Sequence, residues 1–127
     1  MLIERSEYSD ESSLAACLEG SIFRYCEFKD ILLDGKSVDA VFLSCELYDV
    51  DWYWGFFNAC LFVDAKFKNC VFRGSNFADC RFLNCEFIKC RFEEDNFGSP
   101  CSFKGTQWFG GNAEGCVGLP EYAFPKM

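Results

Sequence analysis

The sequence has no histidine among its 127 residues, and only three prolines and two methionines. Lacking histidine, the chain lacks the commonest general base and the commonest metal ligand. Its ten cysteines include no CxxC pair, the close spacing that zinc and iron–sulfur sites use, so no metal and no cofactor are expected. No apolar run approaches the roughly twenty residues that cross a bilayer. The amino-terminal MLIERSEYSDESS is acidic where a secretory signal is basic and then apolar. Positive charge is also short, with 12 Lys and Arg against 20 Asp and Glu, or −8. Direct binding to nucleic acid or to an anionic membrane is excluded on that ground, because both need a positive surface. The expectation is one soluble, cytoplasmic domain with reduced thiols.

Half the residues are apolar and 16 are phenylalanine, enough for a sizeable core. The charge is uneven. Residues 1–50 hold 11 acidic and 4 basic side chains, and residues 51–127 hold 9 and 8. A basic partner is the natural complement of the acidic half.

Cut at fives from Ala40, the chain reads AVFLS CELYD VDWYW GFFNA CLFVD AKFKN CVFRG SNFAD CRFLN CEFIK CRFEE DNFGS. Period five suits neither a helix nor a flat strand, so internal repetition comes first. The third position is always large and apolar, from Phe42, Leu47, Trp52 and Phe57 through phenylalanine at 62, 67, 72, 77, 82, 87, 92 and 97. The first position is small in every unit but the last, which has Asp95. Upstream, ACLEG SIFRY CEFKD ILLDG keeps the pattern with a one-residue shift that the four-residue KSVD absorbs. Downstream, Pro100 is an insertion before CSFKG and TQWFG.

This pattern resembles the pentapeptide-repeat family over residues 16–110. The resemblance implies an all-β, right-handed quadrilateral β-helix of about five coils, with the small and large positions both inward. Residues 1–15 are expected as an amino-terminal cap and 111–127 as a carboxy-terminal cap. Coils about 4.8 Å apart stack the phenylalanines into columns and make a rod on the order of 24 Å long. Its open ends need covers, for which the acidic amino-terminal segment and Leu119, Tyr122 and Phe124 are the candidates.

Cys26, Cys45, Cys60, Cys70, Cys80, Cys85, Cys90 and Cys101 share the small slot with Ala, Ser and Gly, so that slot selects size. Cys60 and Cys80, like Cys70 and Cys90, stack at a bridgeable distance but are taken as reduced. Glu93, Glu94 and Asp95 read as a solvated cluster. With buried thiols and no histidine beside them, no catalytic residue is expected, and the chain reads as a non-enzyme.

Function then belongs on the outward positions, where residues twenty apart share a face. One face reads Ile22, Val41, Leu61, Arg81 and, two positions on, Arg24, Leu43, Val63, Leu83, Lys104. Such an apolar stripe marks a contact surface unless the amino-terminal segment folds over it. A second candidate is DVDWYWGFF, which points Tyr48, Tyr53, Trp54 and Phe56 outward beside Glu46, Asp49 and Asp51. Aromatic anchors beside carboxylates suit a partner rich in Lys and Arg. The leading expectation is a small acidic inhibitor, the immunity partner of a bacterial toxin such as a nuclease. The resemblance supplies an alternative, a DNA mimic that binds and protects gyrase or a related topoisomerase. A scaffold or homodimeric assembly element is the third reading.

Overall fold

A computed structural model describes residues 1–124; residues 125–127, the end of the expected carboxy-terminal cap, lie outside the described residues. Short parallel strands wind around four sides. Side one carries β1 (Leu2–Glu4), β3 (Glu19–Arg24), β5 (Ser37–Leu43), β8 (Leu61–Val63), β12 (Arg81–Leu83) and β15 (Gln107–Phe109). Side two carries β2 (Glu7–Tyr8), β4 (Glu27–Asp34), β6 (Glu46–Tyr53), β9 (Lys66–Lys68), β13 (Glu86–Ile88) and β16 (Asn112–Glu114). The second halves of β4 and β6 turn onto side three, continued by β10 (Val71–Arg73) and β14 (Arg91–Glu93). Side four holds the start of β5, then β7 (Phe56–Asn58), β11 (Asn76–Ala78) and Ser102. The chain is an all-β, four-sided solenoid of about five coils. Its only α-helix among the described residues is α1 (Glu11–Ala15).

The pairing register follows the repeat. Leu61 pairs with Arg81, twenty residues on, whereas Ile22 pairs with Val41, because KSVD shortens that coil by one. Leu83 pairs with Phe109, because an insertion lengthens the coil between β12 and β15. The chain turns at its regular corners through left-handed residues, whose φ lies between 51° and 56° at the non-glycine positions from Arg5 to Lys89. Asp and Asn tolerate that conformation best among residues with a side chain, and Asp30, Asp49, Asp64, Asn69, Asp79 and Asn84 occupy it. Trp54 adopts it without that advantage.

Each side buries one column of large side chains. Phe42, Phe62 and Phe82 stack at 4.8 and 4.7 Å, and Phe67 stacks on Phe87 at 4.6 Å. These separations match the inter-strand spacing, so the backbone ladder sets the ring stacking. Neighbouring columns meet edge-on, as Phe62 and Phe67 do at 61°. Trp52 and Trp108 carry buried indole N–H groups with no acceptor, a cost that phenylalanine avoids. Seven of the expected slot cysteines are buried and Cys101 is half-buried; all ten in the chain are free.

The ends depart from the expected arrangement. The amino-terminal segment does not fold over side one: β1 adds a further rung to it. The buried Leu14 of α1 and Leu18 close that end, and Asp10 caps the helix by accepting from Ser13 N–H at 2.8 Å. At the other end, Phe124 lies 5.9 Å from Phe87 and 5.4 Å from Trp108. Leu119 also packs against the core, whereas Tyr122 is exposed.

Candidate functional site

Side one is the most apolar outward surface. One column runs Leu2, Ile22, Val41, Leu61, Arg81, Gln107, and the other Glu4, Arg24, Leu43, Val63, Leu83, Phe109. Lys104 is not in that column, correcting the sequence register: the insertion moves it to side four and puts Phe109, 49% exposed, above Leu83. Leu43, Leu61, Val63 and Leu83 are half-buried by their neighbours, whereas Leu2 and Ile22 are exposed. Arg24 pairs with Glu4 at the amino-terminal end. Counting the last coil from TQWFG, with Trp108 as its centre, would have found Phe109 in the sequence.

Side two is charged. Glu7, Glu27 and Glu46 lie one above another, followed by Lys66 and Glu86. Tyr48 belongs here, with Lys29 Nζ 6.0 Å from its ring centre and Lys68 on the next rung. Asp49 turns the corner to side three. There Asp51 sits half-buried between Leu32 and Val71, and burial raises its pKa. The carboxylates expected beside the aromatic group thus fall on two sides and a corner.

The aromatic residues separate likewise. Tyr53 is on side three, Trp54 at the next corner and Phe56 on side four, 44% exposed. Phe97, expected inside, is 82% exposed. The unit DNFGS leaves the coil and CSFKG takes its place: Phe103 stacks on Phe77 at 5.2 Å, and Cys101 Sγ donates to Phe72 O at 3.3 Å. The extruded loop docks on the aromatic corner. Trp54 Nε1 donates to Asp95 Oδ2 at 2.8 Å, and Asn96 N–H donates to Tyr53 Oη at 3.1 Å. Asp95 Oδ1 accepts from Phe97 N–H at 2.8 Å and Ser99 N–H at 2.9 Å, while the Phe97 ring lies over Trp54 at 6.1 Å. The Trp54 bond, foremost among these, holds the Asp95 carboxyl below the usual range. A Cβ at Gly74 would come within 2.8 Å of Asp95 Cβ and 3.1 Å of Trp54 Cδ1, so only glycine leaves room for this contact.

The cysteine ladders are inward. Cys45 and Cys85 donate to the carbonyls of Phe23 and Phe62, and burial pushes both thiols up to about 11. Contact with Cys80 and then burial raise Cys60; contact with Cys90 and then burial raise Cys70. A thiol held protonated is a poor nucleophile. No three Cys, Asp or Glu side chains converge on a metal-sized site among the described residues. No helix among them is long and apolar enough to cross a membrane.

Residues 57–94 match the family model for pentapeptide repeats, in eight copies. No curated protein matches the sequence. Among solved structures, a pentapeptide repeat protein from the cyanobacterium Cyanothece 51142 is similar at TM-score 0.66 and 10% identity, over 92% of this chain and 84% of that one. Trypsin-treated QnrB1, a plasmid-mediated fluoroquinolone resistance protein, is similar at TM-score 0.40 and 14% identity, over 85% of this chain and 51% of that one. Residues 57–94 thus carry pentapeptide repeats, and the chain as a whole shares the four-sided coil of a solved pentapeptide repeat protein.

Proposed function

We propose that the chain is a non-enzymatic, protein-binding solenoid that docks its partner on side one, and that it acts as a small acidic inhibitor of the immunity type. One observation carries the reading: a sheet face six strands wide presents apolar side chains outward, and no segment of the described chain covers them. A continuous outward apolar stripe of this kind, half-buried at its centre and exposed at Leu2, Ile22 and Phe109, marks a contact surface. Carboxylates border it, with exposed Asp39 and Asp79 at one corner, Asp64 at the other, and Glu46 and Glu86 beyond. A partner that is basic around an apolar centre matches this face, and a nuclease toxin has that chemistry where it grips nucleic acid. Mimicry of duplex DNA has less support, because Lys66 and Lys68 interrupt the acidic side at mid-length.

The test uses wild-type protein and a Leu43→Asp/Val63→Asp variant as baits in extracts of the producing cells. A protein retained by the first and lost from the second is the expected result, and its identity reports whether it is a toxin. Equal retention by both baits overturns the assignment of side one.

A further inference from the structure

The geometry of side one restricts what can lie on it. Every internal strand of this side is hydrogen-bonded to the coil above and the coil below, so its amides and carbonyls are committed. An extended peptide laid across the face finds no ladder to join, and burial would strand its own backbone groups. A helix brings its backbone bonds satisfied.

The shape agrees. The two outward columns stand about 7 Å apart, two residues along each strand. Between them the centre residues, Phe23, Phe42, Phe62 and Phe82, point inward, so strand geometry gives the outward face a shallow trough between the columns. Six strands at about 4.8 Å spacing give it a length of about 24 Å, which about 16 helical residues span. Its apolar lining is oblique, from Leu2 in one column to Phe109 in the other, with Glu4 and Arg24 at one remaining corner and Arg81 and Gln107 at the other. A helix therefore crosses at a shallow angle to the rod.

We infer that side one seats a basic amphipathic helix of its partner, about four turns long, with an aliphatic stripe in the trough and Lys or Arg along its flanks. The inference rests on the reading of side one as the docking face. The flanking charge is set by the rims, where Asp39 and Asp79 face Asp64 across the trough. A second copy of the chain fits poorly, because face-to-face packing brings two sets of rim carboxylates together. The footprint, on the order of 24 by 10 Å, also falls well short of the roughly 800 Å² per partner of a stable interface.

The probe is a fluorescent 18-residue designed peptide with a leucine stripe at helical spacing and lysine flanks. A glutamate-flanked peptide and a proline-interrupted lysine peptide of the same length are the comparisons. The lysine helix is expected to bind the intact protein in the micromolar range by anisotropy, and to gain helicity on binding. Both comparison peptides should bind at least ten-fold more weakly. Val63→Asp and Leu83→Asp should each cost at least ten-fold with thermal unfolding little changed, and Leu32→Asp on side three should cost nothing. Val63→Asp decides between mechanisms: it adds a negative charge, so a peptide held by charge alone binds that variant more tightly. Equal binding by the proline-interrupted peptide, unchanged or tighter binding to Val63→Asp, or no binding up to about 1 mM overturns the inference. So does a dimer in sedimentation that Val63→Asp dissociates. If the peptides fail while the bait comparison still depends on Leu43 and Val63, the docking face stands and the helix falls. If both fail, both readings fall.

Discussion

Side one and the Trp54 corner both carry outward apolar groups, and the rest of the chain treats them differently. On side one the neighbouring segment, β1, extends the surface by a rung and leaves it open. At the corner the extruded loop lays Asp95, Asn96 and Phe97 over Tyr53 and Trp54, meeting the indole N–H and the phenol oxygen. An aromatic cluster whose polar tips are satisfied from within has less to offer a partner than an aliphatic face that no distant segment of the described chain overlays. Outward direction is a local property of the repeat, whereas availability depends on what distant segments do. Four kinds of variation test the comparison.

The largest effect belongs to the interior that both surfaces stand on. Phe82 is 2% exposed and stacks on Phe62 at 4.7 Å and Trp108 at 4.5 Å. Phe82→Ala is expected to cost about 3–5 kcal/mol in urea unfolding, the range for truncating a core phenylalanine. Its neighbour Leu83 points out, so Leu83→Asp should stay within about 1 kcal/mol. Similar costs for both would mean that side one is structural rather than a free surface.

Next comes alkaline sensitivity, which Cys45 and Cys85 should confer. The Cys85 thiol is raised by burial from its ordinary value of 9.0 to about 11, and Cys45 likewise. The folded state then binds more protons than the unfolded chain between those values. Stability is full below about pH 9 and falls as pH rises through 11, by up to about 2–3 kcal/mol for Cys85. Unfolding midpoints measured from pH 8 to 11 should fall, and Cys85→Ala should make the fall shallower. A flat profile would mean that the thiols ionise equally well in the folded coil.

Much of this was legible in the sequence because a coil corner every five residues fixes which side chains turn inward. The columns, the buried thiols and the side-one pairings from Ile22 to Leu83 all follow from counting. Phe97 was not legible from the five-residue count alone, because DNFGS carries a central phenylalanine as CSFKG does. Competition for the fourth side decided between them. Placing DNFGS inside would bury the Asp95 carboxylate in the small slot, whereas CSFKG puts a thiol there. That one residue was the readable signal. The same miscount displaced Phe109 from its column. Trp54 at the corner was legible as exposed, but its link to Asp95, 41 residues away, carries no short-range mark.

A smaller effect separates the two surfaces by folding contact alone. Tyr53→Phe removes the oxygen that accepts from Asn96 N–H, leaving the ring in place. The expected cost is about 0.5–1 kcal/mol, with faster amide exchange at Asn96 as the local readout. Unchanged exchange there would mean that the loop is held by other contacts.

The most delicate difference concerns charge in the loop, and it shows in a local signal. Asp95 titrates below the usual carboxylate range because its ionised form accepts from Trp54 and the loop amides. A depressed folded-state pKa means that the contact is fully present above the ordinary carboxylate value and is lost as pH falls through the folded one. The Trp54 indole N–H resonance should therefore hold its shift at neutral pH and move toward the solvent-exposed position below about pH 4. Asp95→Asn should move it part of the way at pH 7, since an amide oxygen is a weaker acceptor. Gly74→Ala should move it fully at any pH, because a Cβ there occupies the space between Trp54 and Asp95. None of these changes touches side one, so binding of the lysine-flanked helical peptide should be unaltered in all three conditions at matched pH. Peptide binding that followed the indole signal would show that the corner, rather than side one, is the working surface.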